Sequence, residues 1–334
     1  MQESGGRSEP TINDVARAAG VAPSTVSRAL AKPGRVSFKT AEHVRRVADE
    51  LGYRSHRMEL SISTRGTGVI ALIAADIGNP VFVGMIRGAE REASQHGLTL
   101  VIIESQESPE GEQRAISRLE ATVDGFVLTS SRLPDQAIRS LAKRKPVVVL
   151  NRVVGEVASV VSDNVRAIKK ATEHLVELGH TSICYLAGPE ASYASGVRWR
   201  GLTEAGLELL IQVRRLGPFL PTIRGGAIAA EQWLLRPMTA VIAYNDLMAI
   251  GFMKAVTAAG RRVPADVSVI GFDNIVDAGL VDPGLTTIAA PLVSLGSTAV
   301  AHLTTRRDQD TITSGPVLLP ARLVLRASTG PRAR

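Results

Sequence analysis

This 334-residue sequence has very little cysteine and no long apolar segment. Its single cysteine, Cys184, excludes an internal disulfide framework and any metal cluster built from cysteine ligands. No hydrophobic run approaches the roughly 20 residues that a membrane helix needs. The first ten residues are polar and lack the apolar core of a secretory signal, so we expect a cytoplasmic protein with no membrane partner.

The motifs of common catalytic sites are missing as well. The six histidines are scattered along the chain, and none forms a His-Glu-x-x-His zinc pair. The sequence also lacks a Gly-x-Ser-x-Gly nucleophile elbow and a Walker phosphate loop. We therefore predict a protein that is not an enzyme and that uses neither a cofactor nor a metal ion.

The excess of positive charge is concentrated at the two ends of the chain. The formal net charge is +7, of which residues 11–65 contribute +5 and residues 66–316 almost nothing. Residues 317–334 add four arginines and no acid. A compact basic region is what a polyanion such as nucleic acid would require, although a basic solvated surface has the same composition.

Residues 11–53 have the pattern of three short helices, which we call the head. Gly20 ends the first apolar helix face, Pro23 suits the start of a second helix, and Ser37 is a suitable N-cap for a third. The tight turn between the first two helices predicts a helix-turn-helix. Its second helix would enter the major groove of DNA.

The outward face of that second helix carries Ser24, Thr25 and Arg28, because its apolar residues face inward. The two hydroxyls can bond phosphates or base edges, and an arginine can bind a guanine through two hydrogen bonds. The same three residues would also suit an ordinary solvated helix face. The turn and the basic charge favour DNA recognition.

From residue 68 onwards, which we call the body, short β-branched runs alternate with longer helical patterns. Such alternation is typical of βαβ units and a parallel sheet. About 250 residues of it suit two doubly wound α/β subdomains better than one. The predicted fold class is therefore α/β with an N-terminal all-α head. The strand-like runs are Val69–Ala75, Leu98–Ile103, Gly125–Thr129, Val147–Leu150, Ser182–Ala187, Ala240–Tyr244 and Ser268–Phe272, and the helical patterns lie near 80–96, 109–121, 164–178, 197–211, 246–260 and 292–305.

Polar residues directly follow several of these runs. Ligands of open α/β sheets bind beyond the carboxyl ends of the strands, where such residues lie. An Asp or Asn at this position can instead cap the next helix, and for Asp246 the two roles are equally open. The residues concerned are Asn151, Arg152, Asn245, Asp246, Asp273 and Asn274.

The segment from Thr11 to Leu30 reads TINDVARAAGVAPSTVSRAL and resembles the N-terminal signature of the LacI/GalR family of bacterial transcription regulators. The segment from Gly34 to Tyr53 continues the resemblance, which covers nearly the whole chain. Further motifs follow in the order of the family. These are Asp76–Pro80, Val123–Gly125, Val161–Asn164, Leu178–His180, Tyr244–Gly251, Val263–Pro264, Gly271–Asn274 and Leu285–Thr287.

This resemblance implies how the head binds DNA. The residues that match Pro23, Ser24 and Arg28 choose the operator sequence in the family. The segment after Tyr53 is similar to a hinge helix that orders on operator DNA, with Ile62 at the position of the apolar wedge in the minor groove. The implied DNA-binding residues are Thr11, Pro23, Ser24, Thr25, Ser27, Arg28, Arg35, Tyr53, Met58 and Ile62.

The resemblance also implies that the body is similar to periplasmic sugar-binding proteins, with an effector in the cleft between two subdomains. Val81 and Phe82 would line the side of the first subdomain. The usual position of an arginine that grips the effector falls on Gly196, with Arg198 two residues further on. The implied effector-binding residues are Val81, Phe82, Asn151, Arg152, Arg198, Asn245 and Asp273.

The expected domain organisation follows from these assignments. Residues 1–10 form a disordered tail, residues 11–57 the DNA-binding domain and residues 58–67 the hinge helix or linker. Residues 68–330 form the core. Within it we expect a first subdomain of about 68–164 and 291–316 and a second of about 165–290 and 317–330.

The expected function is a ligand-responsive transcriptional regulator, with repression as the favoured mode. A homodimer would bind a palindromic operator in double-stranded DNA and respond to a small-molecule effector, a sugar or another small metabolite. Two other functions stay open at this point: a solute-binding protein without a DNA role, and a sugar-converting α/β enzyme. The head opposes the first, and the missing catalytic motifs oppose the second.

Overall fold

A computed structural model of the chain describes residues 11–31, 36–51, 66–308 and 315–332. It divides into two compact units, Met1–Gly68 and Val69–Arg334. The expected disordered tail at residues 1–10 and most of the expected hinge at residues 58–67 lie outside the described residues. Along the described part of the chain, no helix combines the length and the apolarity that crossing a membrane requires.

The head consists of the three helices that the sequence predicts: α1 (Ile12–Ala18), α2 (Pro23–Ala31) and α3 (Phe38–Leu51). The Ser37 hydroxyl accepts a hydrogen bond from the Thr40 amide at 3.2 Å, which confirms the predicted N-cap of α3. Gly20 ends α1 in the left-handed conformation, with φ +64°. The helices enclose one small apolar core, formed by Val15, Ala16, Ala19, Val26, Ala29, Val44, Val47 and Ala48.

The body contains two six-stranded sheets. Their strands are β1 (Val69–Ala74), β2 (Thr99–Glu104), β3 (Phe126–Thr129), β4 (Val147–Leu150), β5 (Ala158–Ser162), β6 (Ser182–Leu186), β7 (Gln212–Leu216), β8 (Ala240–Ala243), β9 (Ser268–Phe272), β10 (Thr286–Ala289), β11 (Val317–Leu319) and β12 (Arg322–Val324). The first sheet has the strand order β11-β5-β4-β3-β1-β2, and the second has the order β12-β10-β9-β8-β6-β7. Neighbouring strands are parallel except for β10 and β12.

Helices cover both faces of each sheet, so each subdomain has two apolar layers. This is the doubly wound architecture that the sequence predicts. A 3-10 helix, Val276–Gly279, follows β9. The α-helices of the body are α4 (Pro80–Gln95), α5 (Pro109–Leu119), α6 (Asp135–Ala142), α7 (Asn164–Glu177), α8 (Tyr193–Glu208), α9 (Ile223–Leu235), α10 (Asp246–Ala258) and α11 (Leu292–Asp308).

One expected subdomain boundary is wrong. We expected the chain to enter the second subdomain at residue 317, but Val317–Leu319 pairs with β5 and completes the first sheet. The last passage between the sheets therefore lies between Leu319 and Arg322, where β12 begins. Three-residue strands carry too little periodicity to be assigned from sequence, and the neighbouring strand determines their sheet.

Several other elements were missed for identifiable reasons. Strand β7 carries two adjacent arginines at a sheet edge, and α9 contains a Gly225-Gly226 pair that resembles a turn signal. In the structure this pair permits close packing, because a Cβ at residue 226 would collide with the carbonyl oxygen of Met248 on α10. Strands β5 and β10 and helix α6 are short and were also missed, and α8 begins four residues before the predicted start.

A buried histidine attaches the C-terminal segment to the second sheet. The Nδ1 atom of His180 lies 2.9 Å from the Thr239 hydroxyl, and its Nε2 atom lies 3.0 Å from the Ser268 hydroxyl and 3.2 Å from the Gly330 carbonyl oxygen. Burial lowers the pKa of this imidazole, because the charged form is poorly solvated there. The neutral ring is therefore the form that holds this network together.

We expect His180→Gln to lower the free energy of unfolding of the body by about 1–3 kcal/mol at pH 7.5, because buried hydrogen-bond partners lose their ring contacts. The loss should shrink as the pH falls below about 6.5, because the unfolded wild-type chain then binds a proton at His180 that the folded chain, with its lowered pKa, does not. Urea unfolding at pH 7.5, 6.5 and 5 measures it. His96→Gln, at an exposed site, is the control. A loss that did not depend on pH would contradict this role.

Candidate ligand site and nucleic-acid interface

A buried ion pair lies at the carboxyl edge of the second sheet. Arg198, on α8, and Asp273, directly after β9, approach to 3.5 Å between Nη2 and Oδ1, and both side chains are 8 % exposed. The other terminal nitrogen of Arg198 donates to the backbone carbonyl of Tyr244, the residue after β8. Two neighbouring strands and one helix therefore bring this site together.

Two aromatic rings surround the guanidinium of Arg198. Its Cζ atom lies 3.4 Å from the ring centroid of Phe272 and 4.9 Å from that of Tyr244. The Nε atom is buried and has no hydrogen-bond partner among the described residues. A buried donor without a partner is costly, so this position suits an acceptor atom of a bound ligand or water.

Asp273 is held in an unusual conformation and an unusual electrostatic environment. Its φ of +104° and the φ of +56° at Asn274 place both residues in the left-handed region, which non-glycine residues seldom adopt. Burial raises the pKa of Asp273 to about 6, and the Arg198 charge opposes this rise. At neutral pH the carboxyl group is thus mainly ionised and can accept hydrogen bonds from ligand hydroxyls.

The neighbouring pair Asn245 and Asp246 has structural partners. Asn245 is the N-cap of α10: its Oδ1 accepts the Met248 amide at 3.0 Å, and its Nδ2 donates to the Pro221 carbonyl oxygen at 3.0 Å. Both amide atoms are therefore engaged, which argues against the ligand contact expected of Asn245. Asp246 is neither the cap nor exposed to the site, since its side chain is buried and bonds Ile275 and Thr287.

The first subdomain contributes Val81 and Phe82 at the start of α4, where both are nearly buried. Asn79 caps this helix by accepting the Val81 amide. Asn151 follows β4 in the left-handed region, with φ +59°, and is half-buried. Its Nδ2 lies 3.8 Å from the Met85 sulfur, a weak contact that leaves its amide available. Val81, Phe82 and Asn151 thus remain candidates for ligand contact.

Arg152 has a different environment from the one expected. Its guanidinium donates to the carbonyl oxygens of Ser131 and Leu133 at 2.9 and 2.7 Å and forms an ion pair with Asp135 at 2.5 Å. These partners all belong to the loop and helix that follow β3. The side chain therefore braces the first subdomain, and its engaged guanidinium contradicts the ligand contact expected of Arg152.

Sequence reasoning named Arg198 as an effector contact, and the structure places it in this site, but two other residues were missed. A Cβ at Gly196 would meet no atom within 4 Å, whereas Arg198 reaches Asp273. Tyr244 and Phe272, which cradle the guanidinium, were not singled out. Their positions at the ends of β8 and β9 were the available signal. The Tyr244 hydroxyl also bonds the Ser192 hydroxyl at 3.0 Å.

In the head, helix α2 presents an exposed start. Pro23 and Ser24 are exposed, and Thr25 and Ser27 are partly exposed. Thr11 is exposed at the start of α1, where its hydroxyl donates to the Asp14 carboxylate at 2.6 Å. Arg28 lies on α2, but its side chain is outside the described part of the structure. The predicted contacts Arg35, Tyr53, Met58 and Ile62 also lie outside the described residues.

Each of the two units matches a protein-family model. Residues 11–56 match the model of bacterial regulatory proteins of the lacI family. Residues 67–324 match the model of periplasmic binding proteins and the sugar-binding domain of the LacI family. The chain belongs to the LacI family. This confirms the predicted α/β fold with a helix-turn-helix head, and the prediction of a ligand-responsive, DNA-binding transcriptional regulator.

The similar proteins include LacI-family regulators of known role. The chain is 35 % identical to the transcriptional repressor CytR of Escherichia coli (strain K12), with 96 % of each chain covered. It is 32 % identical to the ribose operon repressor of Halalkalibacterium halodurans, over 96 % of this chain and 97 % of the relative. Among solved structures, the lac repressor dimer bound to operator and the anti-inducer ONPF has a TM-score of 0.84 at 29 % identity, with 97 % of this chain and all of that chain covered.

We expect Arg198→Met to raise the pKa of Asp273 by about 1 or more, because the variant removes the opposing charge and keeps the apolar bulk that excludes water. A pH titration followed by 13C NMR of the aspartate carboxyl groups measures this change. Arg152→Met is the matched control, since the partner of Arg152 is Asp135. An unchanged or lowered pKa of Asp273 in Arg198→Met would contradict the assigned ion pair.

Proposed function

We propose that this LacI-family chain is a homodimeric repressor whose affinity for a palindromic operator changes when a small hydroxyl-bearing effector occupies the body. The observation that carries this proposal is the buried Arg198–Asp273 pair at the carboxyl edge of the second sheet, where the Nε of Arg198 has no partner within the described part of the chain. The action on DNA requires a cytoplasmic location, and no catalytic step is part of the proposal. Its relatives are regulators, which supports a role without catalysis.

For DNA recognition we propose that the start of α2 reads base edges in the major groove. The exposure of Pro23 and Ser24 supports this assignment, as does the basic charge of the head. Arg28 would supply the bidentate contact to guanine. The remaining proposed contacts to bases, phosphates or the minor groove are Thr11, Thr25, Ser27, Arg35, Tyr53, Met58 and Ile62.

For the effector we propose a polyol such as a sugar. The Asp273 carboxylate would accept hydrogen bonds from ligand hydroxyls, and the Nε of Arg198, which has no partner among the described residues, would donate to a ligand oxygen. Val81, Phe82 and Asn151 would contact the ligand from the first subdomain. A LacI-family regulator from Enterococcus faecium, 30 % identical with a TM-score of 0.70, has been solved with bound ribose, covering 79 % of this chain and 99 % of that chain. That structure supports the proposed ligand class.

For the dimer we propose that a second copy covers an apolar surface on the second subdomain. Helix α10 and the segment after the 3-10 helix line a cavity of about 380 Å³ with Ile250, Met253 and Val281. Nearby, Val276 and Leu280 are 79 % and 77 % exposed. Lys254 and Asp282 also line this cavity, and exposed apolar side chains beside a polar rim are typical of a protein interface. The two-fold symmetry of a homodimer would match a palindromic operator.

The proposed regulation is thermodynamic linkage. Operator and effector would favour different arrangements of the two subdomains, so that each changes the affinity for the other. A coupling free energy of about 1–3 kcal/mol changes operator affinity about 5- to 150-fold. A solute-binding protein without a DNA role is the weaker candidate, because residues 11–56 match a family of regulators.

Selection of bound DNA from a random pool tests the first part of this proposal. We expect a palindromic site with two half-sites, and an affinity that falls steeply as the salt concentration rises. Arg28→Ala should cost about 1–3 kcal/mol of discrimination at one base pair of each half-site and leave folding intact. Arg46→Ala, on α3 and paired with Glu50, is the control. An Arg28→Ala protein that discriminates the selected site from scrambled sites as strongly as wild type would refute the recognition helix.

The second part is tested by adding D-ribose, D-xylulose and cellobiose, one at a time, to the selected complex. One compound should change operator affinity by about 5-fold or more. Asp273→Ala should abolish this response, because it removes the proposed hydroxyl acceptor, while operator binding without the compound survives. Asp135→Ala, which breaks the ion pair of Arg152 instead, is the control. A normal response in Asp273→Ala would refute the assigned site.

A further inference from the structure

The turn that presents Asp273 needs support from other residues. Asp273 and Asn274 are two consecutive non-glycine residues in the left-handed region, with φ values of +104° and +56°. Such conformations persist only where surrounding contacts hold them, and they recur at functional sites. The turn therefore depends on the side chains that bond to it.

Asp246, the first residue of α10, holds the turn through two hydrogen bonds of its carboxyl group. Its Oδ2 accepts the Ile275 amide at 2.9 Å, and its Oδ1 bonds the Thr287 hydroxyl at 2.5 Å. The same hydroxyl accepts the Asn274 amide at 3.3 Å. The carboxyl group can occupy this position because residue 271 is glycine, since a Cβ there would collide with Oδ1 of Asp246.

Arg326 holds the turn from another side. Its Nη2 donates to the Asn274 side-chain oxygen at 2.7 Å, and its Nη1 donates to the Leu285 carbonyl oxygen at 2.7 Å. Arg326 thus fixes the side chain of Asn274, whereas Asp246 fixes the backbone amide of the residue that follows. Of these two, Asp246 is the buried one, with 1 % of its surface exposed.

We propose that Asp246 is a positioning residue for the ligand site: through Ile275 and Thr287 its carboxyl group holds the left-handed turn that directs Asp273 towards Arg198. The proposal rests on the proposed function, because it takes Asp273 as a ligand contact. Asp246 itself touches no ligand in this scheme. Since Asp246 begins α10, its carboxyl group also ties the turn to that helix.

The protonation state of Asp246 determines which substitution preserves its role. Burial raises its pKa to about 8, and the Asp273 charge adds to the effect. The neutral acid therefore predominates at pH 7. A neutral carboxyl group has one acceptor oxygen and one donor, as an asparagine amide does. Asp246→Asn can keep both contacts, with its amide oxygen accepting the Ile275 amide and its amide nitrogen donating to the Thr287 hydroxyl, whereas Asp246→Ala loses both.

The test compares wild-type, Asp246→Asn and Asp246→Ala in the full-length protein. We expect hydrogen exchange of the Asn274 and Ile275 amides to be at least about 10-fold faster in Asp246→Ala and within about 3-fold of wild type in Asp246→Asn. Amides within β8 should be unchanged. The change in operator affinity caused by the active compound among D-ribose, D-xylulose and cellobiose should be at least about 5-fold smaller in Asp246→Ala than in wild type. In Asp246→Asn this change should be the same as in wild type.

Thr287→Val provides an independent variant if Asp246→Ala does not fold, because it keeps the volume and removes only the bridging hydroxyl. It should accelerate exchange of the Asn274 amide in the same way. Unchanged exchange in Asp246→Ala or Thr287→Val would overturn the proposal, as would an Asn variant that behaves like the Ala variant. If Asp273→Ala abolishes the response and Asp246→Ala keeps it, the proposed function stands and this inference fails. If no compound acts, the exchange rates alone decide the positioning role.

Discussion

The buried ion pair between Arg198 and Asp273 is the interaction on which the ligand site depends. Moving a guanidinium out of water costs several kcal/mol unless charges and hydrogen bonds compensate it. Here the compensation comes from Asp273, from the Tyr244 carbonyl oxygen and from the rings of Phe272 and Tyr244. All of these partners lie at the ends of β8 and β9. The charge therefore requires the two parallel strands to end side by side, with α8 packed close enough to reach them.

The same edge links the ligand site to the surface proposed for dimerisation. Asp246 holds the turn that carries Asp273 and also begins α10, whose residues Ile250 and Met253 line the apolar cavity. The turn leads directly into the 3-10 helix Val276–Gly279. Closely packed elements move as units, because packed interiors do not deform continuously. A shift at the ligand site would therefore reach this surface through α10 and the 3-10 helix together.

Much of the fold could be predicted because its signals are local. The capping residue Ser37, the terminating Gly20 and the apolar periodicity of α1 to α3 each involve neighbours in sequence. The long buried strands of both sheets were equally clear. Strand β7, with its two arginines, and the three-residue strands β11 and β12 were not, because pairing with a neighbour and not their own pattern defines them. The hydrogen bonds of Asn245 and Arg152 likewise depend on loops that are distant in sequence.

The sequence by itself determined the family resemblance, the two kinds of unit and the set of polar residues at strand ends, because these follow from local residue patterns. Only the tertiary structure decided which of those residues meet. Arg198 and Asp273 are 75 positions apart and pair with each other, whereas Arg152, beside Asn151 in the chain, pairs with Asp135. The physical reason is that strand periodicity places a residue at the edge of a sheet. The packing of the helices and loops around that edge then determines which oppositely charged side chain it pairs with.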